Sequence, residues 1–113
     1  MSVVKINAIG VGPGRGEELE KRFADRAGEV EKMPGFEGFE LLRPIEGETR
    51  YFVYTRWESE EAFQAWVNSD AFKVGHRQAR KEGGKDTVAH GSALLEFEVV
   101  MKTEATAVPG VSG

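Results

Sequence analysis

The segment Tyr51-Phe52-Val53-Tyr54-Thr55-Arg56-Trp57 reads as a strand carrying large apolar groups on both faces. Tyr51, Val53 and Trp57 project to one side and Phe52 and Tyr54 to the other, because successive side chains of a strand alternate. Residues 36–42 repeat the pattern, with Phe39 and Leu41 opposite Phe36 and Leu42. A sheet with one face in water alternates apolar with polar; a sheet made of these strands must be covered on both faces. The chain has 113 residues, the length of one small domain. A chain of this size buries roughly 65% of its unfolded surface, enough for one modest core. A second cover therefore has to come from another molecule.

The remaining pattern supplies one cover and no more. Val3 to Val11 is short and β-branched, a first strand, and Gly12-Pro13-Gly14-Arg15-Gly16 breaks it. Leu19, Phe23, Ala27 and Val30 then form one apolar stripe, which predicts a helix over about Glu17 to Lys32, ended by Pro34-Gly35. Strands from Phe36 to Arg43 and from Arg50 to Trp57 flank the turn Ile45-Glu46-Gly47-Glu48 and pair as a hairpin. Ser59 is a good N-cap, and Glu60 and Glu61 suit the positive end of a helix running to about Asn68 with Phe63, Trp66 and Val67. An offset at Asn68-Ser69-Asp70 precedes a further helical stretch from Asp70 to about Ala79, and Lys81 to Asp86 reads as a flexible loop. Ala93 to Lys102 is the last strand. The order β-α-β-β-α-β is that of an α+β, ferredoxin-like domain, with two helices on one face of a four-stranded antiparallel sheet. A second copy on the other face makes a homodimer of packed sheets, a dimeric α/β-barrel. Residues 1–102 form the domain, and 103–113 a frayed tail.

Composition narrows the function classes. A formal charge of −4, from 15 basic and 19 acidic residues, argues against nucleic acid or an anionic membrane as partner. The absence of cysteine rules out disulfides, thiolate metal sites and a cysteine nucleophile. Met1 to Asn7 lacks the basic flank and apolar run of a secretory signal, and no apolar stretch reaches the ~20 residues of a spanning helix. The expectation is a soluble, cytoplasmic protein.

Few catalytic constellations survive this inventory. Gly10, Gly12, Gly14 and Gly16 stand between a strand and a helix, but Arg15 occupies the third glycine slot of GxGxxG, so a plain turn is preferred to a nucleotide loop. No GxSxG elbow occurs, and two histidines, His76 and His90, fourteen residues apart, make no zinc spacing. His76 follows Phe72 by one helical turn, in a stretch from Lys73 to His90 with a local excess of +3 on a chain otherwise near −7. That is either a solvated helix end or a basic flap for an anionic ligand. One histidine suffices as an axial iron ligand, because haem supplies the other four nitrogens itself. Asn7 is polar within an apolar strand, on the side of Ile9 and Val11, and suits either a sheet contact or a hydrogen bond to a ligand. Trp66 fits the core or the site. Arg22 and Arg26, one turn apart, either clamp carboxylates or face water.

Three stretches resemble a known family: Val3 to Ile9, Pro34 to Phe39, and Trp57-Glu58-Ser59-Glu60-Glu61-Ala62-Phe63-Gln64-Ala65-Trp66. With Ser92 to Val100 they are similar to the IsdG-type haem-degrading monooxygenases of the antibiotic biosynthesis monooxygenase superfamily, over about residues 3 to 101. The mycobacterial branch is nearest, although Ser69 to Lys73 looks more like staphylococcal members. The resemblance implies that His76 binds haem iron, that Asn7 hydrogen-bonds the distal oxygen ligand and that Trp66 presses on and ruffles the porphyrin. Phe23, Arg22 and Arg26 join Asn7, Trp66 and His76 as the haem-contacting set. Haem would be both substrate and oxygen-activating cofactor, with electrons from an unknown external reductase, no flavin, and iron released on ring opening. The same fold leaves two other readings: a cofactor-free monooxygenase of a small aromatic, and a haem-binding protein without turnover.

Overall fold

In the computed structural model, described for residues 1–25, 28–70, 72 and 89–105, the elements follow the expected order. β1 spans Val3–Val11, α1 Gly16–Asp25, β2 Phe36–Leu42, β3 Tyr51–Trp57, α2 Glu60–Val67 and β4 Ala89–Glu98. The strands form one antiparallel sheet ordered β2-β3-β1-β4, with the first and third strands central, which is the ferredoxin-like arrangement.

Local chemistry accounts for the entries into both helices. The Arg15 N–H donates to the Gly12 carbonyl at 3.1 Å, and Gly14 has φ +74°. With Pro13 ahead of Gly14 this is a type II turn, whose third position needs a residue free of a Cβ. The glycine-rich stretch thus turns β1 into α1. At the head of α2 the Ser59 hydroxyl accepts a hydrogen bond from the Ala62 N–H at 3.1 Å. Asn68 closes α2 by donating to the Gln64 carbonyl, and the Ser69 hydroxyl then accepts from the Phe72 N–H at 3.1 Å, so the expected offset is present. Asp70 and Phe72 lie in the helical turn that follows.

Three expectations are corrected. The first helix, described over Gly16–Asp25, does not run on to Lys32: Gly28, at φ +122°, stands outside the helical region, and Val30–Lys32 is a separate 3-10 turn. Phe36 does not share a face with Leu42. The pairing shifts between Phe36 and Gly38, so Phe36 lies opposite Trp57 while Gly38 lies opposite Arg56. That bulge turns Phe36 back to the helix side. The last strand begins at Ala89, opposite Val11, and ends at Glu98, opposite Val3. It is as long as β1 allows, and past it the Val99 N–H donates to the Ser2 carbonyl at 2.9 Å. The loop at 81–86 and most of the stretch from 70 to 79 lie outside the described residues, as does the tail beyond 105.

Both helices lie on one face. Under α1, Ile9, Leu19 and Tyr51 are buried together, with Val11, Phe23, Leu41 and Val53 packed around them. Under α2, Trp57 is fully buried, edge-on to Phe36 at 5.3 Å and to Phe63 at 6.0 Å. The opposite face carries Ile6, Leu42, Phe52, Tyr54, Leu95 and Phe97, the last 53% exposed. Among the described residues no helix is long and apolar enough to cross a membrane.

Candidate functional site

Sheet register defines where the site lies. Directly paired residues of antiparallel strands point to the same face, so Leu41, Val53, Asn7 and Leu94 form one row across β2, β3, β1 and β4 on the helix side. The next row in one direction contains Ile9 and Tyr51, which α1 covers. The next row in the other direction contains Lys5, which contacts Glu60 and Phe63 of α2. The Asn7 row is thus the floor of a cleft between the two helices. Its β2 and β3 end is packed under α1 through Leu41 and Val53. Its β1 and β4 end is more open, with Asn7 half-buried and Leu94 53% exposed.

Asn7 is the polar group of that floor. Among the described residues no hydrogen-bond partner of its carboxamide is found, and no buried side-chain polar atom is left unsatisfied, so the amide remains reachable from the cleft. An amide that both donates and accepts, set among Leu94, Val53 and Leu41, suits a flat apolar ligand that brings one polar contact.

The other expected residues divide between those placed and those not. Phe23, on α1, packs against the Ile9 cluster and tilts over Phe39 of β2 at 6.3 Å. Arg22, half-buried, precedes it. Trp66 lies on α2, three residues beyond Phe63 and therefore beside it on the helix surface; its ring is half-buried and edge-on to Phe72 at 5.5 Å. Arg26 and His76 lie outside the described residues. So the structure brings β1, α1 and α2 together with Asn7, Phe23 and Trp66 on them.

Two polar networks that border the cleft were not anticipated. Lys5, 4% exposed, donates to Glu60 of α2 and to Glu96 of β4, and its ammonium stands 4.8 Å above the Phe63 ring. Burial alone pulls this ammonium down, but the two carboxylates outweigh it and hold it above its ordinary value. The sequence signal was present: in Val3-Val4-Lys5-Ile6-Asn7, two inward positions in succession are polar, not one. On the other side Arg43 grips both oxygens of Glu20 on α1 at 2.8 and 2.5 Å, and the Tyr51 hydroxyl donates to the same carboxylate at 2.6 Å. The guanidinium first, then the phenol, hold Glu20 down at about 2.

Known proteins agree with this architecture. The profile of the antibiotic biosynthesis monooxygenase family matches residues 2–78. The chain is 58% identical over 108 residues to the haem oxygenase (mycobilin-producing) of Mycobacterium tuberculosis, covering 94% of this chain and 96% of that protein. It is 36% identical over 103 residues to the haem oxygenase (staphylobilin-producing) of Staphylococcus haemolyticus, covering 88% and 92%. The structure of the haem-degrader MhuD from Mycobacterium tuberculosis, with two haems bound in its active site, superposes with a TM-score of 0.74 at 58% identity, covering 90% of this chain and 99% of that one. The mycobacterial protein is thus more similar than the staphylococcal one over the chain as a whole. Register, helix placement and sequence converge, and the chain belongs to the antibiotic biosynthesis monooxygenase family.

Proposed function

We propose that this chain is a haem-degrading monooxygenase that opens the porphyrin with dioxygen and electrons from an external reductase, releasing iron. The observation that carries the reading is the Asn7 row: one unpartnered amide on an apolar floor between two helices, in a chain 58% identical to a haem oxygenase. Haem, when bound, is both the substrate and the centre that activates dioxygen, and no flavin is called for. His76 would hold the haem iron through its imidazole. Asn7 donates its amide hydrogen to a polar atom above the floor and fixes the ligand's orientation. Trp66 presses on one side of the macrocycle and biases its shape. Phe23 lies along the apolar edge, and Arg22 and Arg26 pair with the propionates. The working form is a homodimer, in which a second copy covers Ile6, Leu42, Phe52, Tyr54, Leu95 and Phe97.

Adding haem to the protein with ascorbate or a reductase under air tests the reading. Loss of the Soret band with release of iron is the expected result. A stable haem complex would make the chain a binding protein instead, and no binding would favour a cofactor-free oxygenase of a small aromatic. His76→Ala is expected to abolish stable haem binding, and an unchanged affinity and Soret band would refute its role. Trp66→Phe is expected to bind haem but turn over more slowly.

A further inference from the structure

Among the described residues, the polar and ring contacts that tie α2 to the sheet are made by its first turn. Within its first four residues, Glu60 takes the Lys5 ammonium, Ala62 rests against Gly35, and Phe63 packs on Trp57 and under the Lys5 charge. Beyond Phe63, the hydrogen bonds and ring contacts of Gln64, Trp66 and Asn68 among the described residues stay within α2 and the turn after it. Trp66 thus stands on α2 one turn beyond the residues that Lys5 and Trp57 hold.

Lys5 is unusual in that position. Its ammonium is buried while both partner carboxylates are about half exposed, at 47% for Glu60 and 54% for Glu96. A buried ion pair contributes little net stability over an apolar side chain of similar size, because desolvation of the charge offsets the attraction. What an apolar residue could not supply is direction: Lys5 ties one named residue of α2 and one of β4 to a single point on β1. That point is two residues from Asn7, about 7 Å along the strand. The Glu60 carboxylate is itself braced by Gln64 at 2.8 Å, which carries the restraint one turn further toward Trp66.

We propose that Lys5 is a positioning residue of the site: by clamping Glu60 it sets the height and rotation of α2 over the sheet, and so the place of Trp66 over the Asn7 row. The effect on haem rests on the proposed function; the effect on Trp66 does not.

The test reads the ligand-free protein first. Trp57 is fully buried, so acrylamide quenching of tryptophan fluorescence reports mainly on Trp66, and Trp66→Phe provides the background. Lys5→Met and Glu60→Ala are each expected to change the quenching constant at least twofold. Glu96→Ala, which removes only the carboxylate on β4, is expected to change it less. Circular dichroism establishes that each variant is folded. Glu60→Ala keeps Lys5 paired with Glu96 and so decides the matter even where Lys5→Met does not fold. In the haem complex, the out-of-plane porphyrin bands in the resonance Raman spectrum are expected to shift in both clamp variants, with haem affinity within about threefold of the parent. Quenching equal to the parent in folded clamp variants would overturn the proposal. So would unshifted Raman bands in variants that bind haem. If the parent binds no haem, the proposed function falls, and the quenching series still decides whether Lys5 positions Trp66.

Discussion

Gly35 and Gly47 have the same φ, +84°, but different surroundings. Alanine at each separates backbone strain from steric collision. An L-residue in the left-handed region costs about 1–2 kcal/mol. At Gly47 a new Cβ meets nothing within 4 Å, so strain is the whole effect. At Gly35 the Cβ would stand 2.6 Å from the Ala62 Cβ and 2.9 Å from the Glu58 Cγ. The glutamate can swing away, but the Ala62 methyl is fixed to α2. Carbon atoms are content at about 3.5–4.0 Å, so the helix must retreat by about 1 Å. Overpacking of this kind costs typically about 1–3 kcal/mol beyond the strain. The expected losses are therefore about 1 kcal/mol for Gly47→Ala and about 3 kcal/mol for Gly35→Ala, a gap of roughly 8 °C in melting temperature for a domain of this size. Urea unfolding with equal slopes for parent and variants measures both. Equal losses at the two positions would refute the view that α2 rests on Gly35. So would a Gly35→Ala protein as stable as its parent.

The remaining expectations bear on the core, the charges and the open face. Trp57→Ala removes a fully buried indole flanked by Phe36 and Phe63, and is expected to lower unfolding free energy by about 3–5 kcal/mol in the same assay; a loss under about 1 kcal/mol would mean the site collapses freely. Glu20 is held at about 2, below its ordinary 4.5, by Arg43 and Tyr51. A depressed folded value contributes stability that is present above the unfolded value and lost as pH falls toward the folded one, so Glu20→Gln should flatten the fall in stability between 4.5 and 2. An unchanged pH profile would sink that assignment. Phe97→Glu places a charge on the sheet face away from the helices and is expected to convert a dimer into a folded monomer by sedimentation; a dimer of undiminished affinity would show that another surface joins the copies.

Where local chemistry decides a structure, the sequence was a sufficient guide. β1, the hairpin and α2 follow from β-branched runs, a glycine-bearing turn at Gly47 and the Ser59 cap, each a signal carried within a few residues. The misreadings occur where a distant partner or a single backbone angle decides. The stripe from Leu19 to Val30 keeps a helical period across Gly28, whose backbone breaks the helix without disturbing the pattern. Ala89-His90-Gly91-Ser92 has no strand composition, and joins β4 because β1 extends to Val11 and offers it a ladder. The bulge before Gly38 is invisible to a period-two reading, which therefore put Phe36 on the wrong face. For the site, Asn7 was legible as a polar interruption of an apolar strand. Lys5 was an equal interruption two residues earlier, and its meaning depended on where Glu60 and Glu96 would arrive.

The floor of the cleft has a thermodynamic corollary. Residues 7, 41, 53 and 94 come from all four strands, and the outermost of them are 87 positions apart in the chain. No single hairpin holds that row, so a ligand lying on it would bind the complete sheet in preference to a part of it. Its binding energy is then added to global unfolding rather than to the opening of one loop, by about 2.7 kcal/mol at a hundredfold excess over the dissociation constant. A ligand on that row would therefore slow proteolysis that proceeds through global unfolding, and by more as its concentration rises.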